Sequence, residues 1–125
     1  MQYMLLIYLD EQAPETWDPA ERGECYKQSL ELGEELKAAG KFLASAPLHP
    51  AATATSVRVR DGKRLLTDGP FAETREQLGG YFLIEADHLD EALAIAARIP
   101  GARRGTVEVR PVIDLKQDWN RESHS

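Results

Sequence analysis

Three side chains stand out as candidates for chemistry: Asp68, His49 and Arg58. Asp68 opens the run Asp68-Gly69-Pro70-Phe71. Gly69 admits positive φ, and Pro70 fixes its own φ and donates no N–H, so the run is a rigid bend. A carboxylate held beside such a bend and an aromatic ring is open to the desolvation that makes a general base. The structural alternative is that Asp68 accepts backbone N–H groups and holds the turn. His49 lies between Pro47 and Pro50, off any regular element. An imidazole titrates near neutrality, so His49 paired with Asp68 makes an acid–base dyad; alone, it is an ordinary loop histidine. Arg58 shares a face with Arg60 in a stretch that also holds Lys63 and Arg64. That cluster either grips an anion or is a solvated hairpin face. Phe71 and Tyr81 are candidate substrate-binding aromatics, with core or interface packing as the alternative for Tyr81.

Other reactive types carry less. His88 falls at a helix start and His124 in the tail, and no histidine pair has metal-ligand spacing. Cys25 sits on an apolar stripe with Lys27 as its basic neighbour, the setting of an inert core thiol. Glu73, Arg75 and Glu76 are expected to form a short helical turn with local ion pairs. Walker, nucleophile-elbow and dinucleotide patterns are absent, so this reading calls for no cofactor and no metal.

The elements that position these residues follow from periodicity. Met1 to Leu9 is a near-continuous apolar run, as in a strand covered on both faces. Asp18-Pro19 supplies an N-cap and a first-turn proline for a helix over 20–39, which Gly40 stops. Its stripe is Cys25, Ser29, Leu32 and Leu36, widened by Tyr26, Leu30 and Gly33. Residues 41–48 read as a short strand or turn. Residues 53–60 alternate, Asp61-Gly62 is a two-residue hairpin signal, and 63–67 is the return strand. Gly79-Gly80 marks a second place where backbone passes close to something. A strand over 79–86, a helix over 88–98 capped by Asp87, and a strand over 106–112 complete the chain.

The order is βαββαβ with a hairpin inserted at 53–67. Both helices on one face of an antiparallel sheet leave the other face bare, and two such sheets cover each other, so a homodimer is expected. Residues 1–115 form one domain and 116–125 a polar tail, frayed except where Trp119 finds a surface. A net charge of −6 opposes general nucleic-acid or anionic-membrane binding. No apolar run approaches the length of a membrane-spanning helix, no signal peptide is evident, and a single cysteine suits a reducing cytoplasm.

The wording of Asp68-Gly-Pro-Phe-Ala-Glu-Thr and Glu76-Gln-Leu-Gly-Gly-Tyr, with the flanking 54–62 and 107–112, resembles the DGPF domain of the YCII-related family. The resemblance implies a ferredoxin-like protomer in a dimeric α+β barrel, and polar residues of the Asp68 region at a cavity. It leaves the reaction open. One expectation is a cofactor-free acid–base enzyme acting on a small, aromatic or lactone-like molecule. Another is a non-catalytic binding or regulatory module linked to sigma-factor signalling. A third is a structural dimer with a vestigial pocket. A closed cavity with converging polar groups would mark the enzyme, and an exposed apolar or charged patch outside the interface the module.

Overall fold

Alternating burial along four strands builds the sheet from which everything else hangs. The computed structural model describes residues 1–119. Its main elements are β1 (Gln2–Leu9), α1 (Pro19–Ala38), β2 (Phe42–Pro47), β3 (Thr55–Arg60), β4 (Lys63–Asp68), β5 (Gln77–Glu85), α2 (Leu89–Arg98) and β6 (Thr106–Pro111). The sheet has the order β2-β5-β1-β6 and is antiparallel throughout. β3 and β4 pair only with each other. This is the ferredoxin-like βαββαβ arrangement with a hairpin inserted before the third sheet strand, as the sequence predicts.

Strand parity assigns the faces. Tyr3 and Leu5 of β1 and Phe82 and Ile84 of β5 pack against Leu32 and Leu36 of α1 and Ala92, Ile95 and Ala96 of α2. Met4, Leu6, Tyr8, Tyr81 and Leu83 point the other way and stay partly exposed. Fully burying a Leu, Ile or Phe side chain of this core stabilises the fold by about 1.5–3 kcal/mol.

Local chemistry sets the helix ends. Asp18 Oδ2 accepts the Glu21 N–H at 3.0 Å with Pro19 in the first turn, as expected. At the other end Gly40 takes φ +73°, while Lys41 N–H donates to Leu36 O at 2.8 Å and Gly40 N–H to Lys37 O at 3.0 Å. Those two bonds are a Schellman motif. α2 corrects the sequence reading: its cap is His88, whose Nδ1 accepts the Glu91 N–H at 3.1 Å. Asp87 instead donates its backbone N–H to Glu91 Oε1 at 3.0 Å, so Glu91 closes a reciprocal box around the helix start.

The hairpin turn is as predicted: Asp61 and Gly62 have φ of 52° and 74°, the type I′ signature. Gly69 takes φ +93°. Residues 69–76 are irregular, which corrects the expected helical turn at Glu73, Arg75 and Glu76. Glu76 Oε1 instead accepts the Thr106 hydroxyl at 2.8 Å. Gly79 is the extra residue of a bulge, because β1 pairs Ile7 with Gly80 but Tyr8 with Leu78. A Cβ on Gly80 would stand 3.0 Å from Ala46 O. The Trp119 side chain and His124 lie outside the described residues.

Candidate ligand cleft

α1 touches the sheet along only part of its length. Its C-terminal half buries Leu32, Gly33 and Leu36, with Gly33 against the Phe42 ring. Its N-terminal half turns the small side chains of Cys25 and Ser29 inward, and both stay partly accessible. Opposite them β5 presents Gly79 and Gly80, which have no side chains to fill the space. The result is a cleft of about 280 Å³ between helix and sheet. Ile7, Leu9 and Phe82 are its apolar floor, and Ile99, Pro100 and Gly101 close one end. Gly101 is required there, because a Cβ would fall 2.6 Å from Ile7 Cγ2.

Polar groups gather where the cleft opens. A vestibule of about 100 Å³ continues outward between the one-turn helix Pro14–Trp17, the start of α1 and Leu48–Pro50. Arg104, Cys25 and Tyr26 border both chambers. Arg104 Nη1 donates to Glu21 Oε2 at 2.6 Å. That bond, with the Glu21 charge as a lesser cause, holds the guanidinium still more firmly charged than usual. Arg22 donates to Tyr26 Oη at 2.8 Å and lies 5.1 Å from the Trp17 ring centroid. The Glu11 carboxylate accepts the Ala51 N–H at 3.0 and 3.2 Å, and Trp17 Nε1 donates to Glu11 O at 2.8 Å. These bonds make the vestibule wall a fixed surface rather than a loose loop.

Of the candidates from the sequence, Tyr81 alone is among the residues lining this cleft or its vestibule. Tyr81 borders it, but its register with Leu6 turns the ring to the bare sheet face. His49 is exposed; its neighbours Leu48 and Pro50 line the vestibule, and Leu48 N–H donates to Gly79 O at 2.8 Å. Asp68 is exposed at the end of β4, paired with Thr55. The bend after it is closed by Gly69 N–H on Ala54 O at 2.6 Å and by the Ser56 hydroxyl on Gly69 O at 2.9 Å. Among the described hydrogen bonds, the Asp68 carboxylate takes no part in holding that turn. Arg58 is exposed opposite Leu65, and Phe71 is 77% exposed. Sequence reasoning missed Arg104 and Glu21. They are 83 residues apart, and the only sequence signal was a charged pair, Arg103-Arg104, directly after a helix stop.

A ferredoxin-like domain with a ligand-sized cleft under its first helix is thus the class that fold and site define. The YCII-related domain model matches residues 1–116, and the chain belongs to that family. It is 37% identical over 114 residues to an uncharacterised protein of Rhizobium meliloti (strain 1021), spanning 90% of this chain and 92% of that one. Among solved structures it is similar to 5-chloro-2-hydroxyhydroquinone dehydrochlorinase (TftG) from Burkholderia phenoliruptrix AC1100, in complex with 2,5-dihydroxybenzoquinone. That likeness has a TM-score of 0.56 at 17% identity and covers 94% of this chain and 99% of the other; it establishes the shared fold. No helix among the described residues is long and apolar enough to cross a membrane.

Proposed function

We propose that this protein binds a small organic molecule in the cleft under α1 and acts on it by cofactor-free acid–base chemistry. The observation that carries the reading is the cleft: an apolar chamber of about 280 Å³ whose mouth collects Arg104, Tyr26 and Cys25. An apolar body with a few convergent polar groups is the usual form of a small-molecule site. The similar dehydrochlorinase, solved with a hydroxylated quinone, is a precedent for a planar ring compound on this fold. Proton transfer needs a group at the vestibule, and His49 with Asp68 is the pair we assign, His49 being carried on the Leu48–Pro50 rim. Arg58 and Phe71 are assigned as contacts from the region of the hairpin, while Tyr81, its ring on the bare face, lends the cleft only its backbone.

We also propose a homodimer, with Met4, Leu6, Tyr8 and Leu83 at its centre, in a reducing compartment that suits the free thiol of Cys25. The regulatory-module reading keeps one specific observation. The β3–β4 hairpin stands free with Val57, Val59 and Leu66 each about 60% exposed, beside its four basic residues.

The test is a panel of hydroxylated aromatics, quinones and lactones, followed by calorimetry for binding and by absorbance for turnover. Ser29→Trp fills the chamber and should abolish binding while circular dichroism stays native. His49→Gln and Asp68→Asn should keep binding and remove turnover. Binding that survives Ser29→Trp would remove the cleft from the account. Turnover that survives both rim substitutions would remove the dyad and leave the cleft.

A further inference from the structure

Arg104 is the charged side chain among the described residues lining the inner chamber; the rest of that lining is apolar or neutral. Its carboxylate partner Glu21 lines the vestibule and not the chamber. Arg104 therefore sits on the boundary: it borders the apolar chamber, and its guanidinium is bonded to Glu21 at 2.6 Å. Its backbone is fixed. Arg104 N–H donates to Gly101 O at 3.1 Å, and Gly105, next in the chain, lies so close under β1 that a Cβ there would stand 2.0 Å from Tyr8 O. Glu21 is equally anchored, in the first turn of α1, one bond from the Asp18 cap. The second cation of the vestibule, Arg22, is engaged by Tyr26 and the Trp17 ring.

We propose that Arg104 selects an anionic ligand for the cleft, an aromatic carboxylate or ionised phenol, and that Glu21 is the internal competitor which holds the guanidinium until the ligand arrives. The proposal rests on the reading of the cleft as the ligand site, and it adds the charge class. The physical reason is the difference between two places for one anion. The side chains of Arg104 and Glu21 are 35% and 43% exposed, so water weakens their attraction. A ligand carboxylate inside the chamber would meet the same guanidinium with its ring on the apolar floor. There the pairing is less screened, and the planar fork can take two oxygens at once. Exchanging Glu21 for such a ligand releases the carboxylate to solvent at the vestibule, where it is readily hydrated. A neutral isostere gains the ring contacts and none of the pairing.

The experiment is calorimetric titration of the whole chain with benzoate and with benzamide at neutral pH. Benzoate should bind at least tenfold more tightly than benzamide. Arg104→Gln should erase that preference and leave benzamide affinity within about twofold. Glu21→Gln, which frees the guanidinium, should raise benzoate affinity severalfold and leave benzamide unchanged. Equal binding of the two compounds to the wild type would overturn the proposal while leaving the cleft intact. So would a preference that survives Arg104→Gln. Should that variant fail to fold, an unchanged or weakened benzoate affinity in Glu21→Gln would overturn it as well. If neither compound binds at millimolar concentration, the cleft reading falls and this proposal with it.

Discussion

Glycine carries much of the strain and the close packing, and two kinds of glycine behave oppositely. Gly69 has φ +93° with open space around it, so its constraint is backbone conformation and not contact. Gly69→Val should destabilise the protein by about 1–3 kcal/mol, seen as a lower urea midpoint at unchanged slope; an unchanged midpoint would show that the bend tolerates a side chain. Gly105 is the contact case, with a Cβ 2.0 Å from Tyr8 O, and Gly105→Ala must move β1 or the loop. Gly23, in α1 with nothing within 4 Å, is neither. Gly23→Ala should raise stability by about 0.5–1 kcal/mol, because it removes the helical cost of glycine. Thermal melts of the three variants should rank Gly23→Ala above wild type and both others below it.

At the scale of elements, α2 is tied to α1 by Arg98 on Glu35, and to the segment just past α1 by Lys41. Lys41, just past the Gly40 stop, donates to Glu91 Oε1 at 2.8 Å, and the same oxygen accepts the Asp87 N–H. The Lys41 hydrogen bond first, and the Asp87 N–H second, hold the Glu91 carboxyl below its ordinary value of 4.5. The folded state therefore binds this proton less readily than the unfolded chain. The stabilisation is present above about pH 4.5 and is lost as pH falls through the lowered folded value. Denaturant midpoints of wild type and Glu91→Gln should differ by a constant amount from pH 7 to about pH 5 and converge below pH 4.5. A gap that persists at pH 3 would mean that shape, not charge, is what Glu91 contributes.

Much of the element scale was legible in the chain. Strand parity, the Asp18-Pro19 start, the Gly40 stop and the Asp61-Gly62 turn are local chemistry, and each stands where its residues put it. The cap of α2 was misread because Asp87 and His88 are both acceptable acceptors, and only backbone geometry decides between them. The cleft was not legible. It depends on where α1 leaves the sheet, and on two glycines of β5 facing Cys25 and Ser29 from fifty or more residues away. Asp68-Gly69-Pro70-Phe71 drew attention by composition, yet its visible work is closing the hairpin through the Gly69 backbone. Arg104 carries no local pattern beyond the Arg103-Arg104 pair, because its meaning comes from Glu21, 83 residues earlier.

At the scale of the whole molecule, the proposed homodimer rests on the bare sheet face. Met4, Leu6, Tyr8 and Leu83 form one apolar surface that the helices do not cover, flanked by Glu108 and Arg110 of β6. Equilibrium sedimentation at micromolar concentration should give twice the chain mass of 13.9 kDa. Leu6→Glu should give a folded monomer, because it would bury a charge at the centre of that contact. A wild-type monomer under these conditions would remove the dimer from the account.

The cleft under α1 is the central claim, and a nitrogen-15 amide titration with 2,5-dihydroxybenzoquinone and with benzoate tests it most directly. The account predicts saturable shifts concentrated at Cys25, Ser29, Gly80, Gly101 and Arg104, with Met4, Leu83 and the hairpin turn at Asp61 unmoved. Saturable shifts confined to the bare sheet face or to the hairpin, or no saturable shift at millimolar ligand, would contradict it.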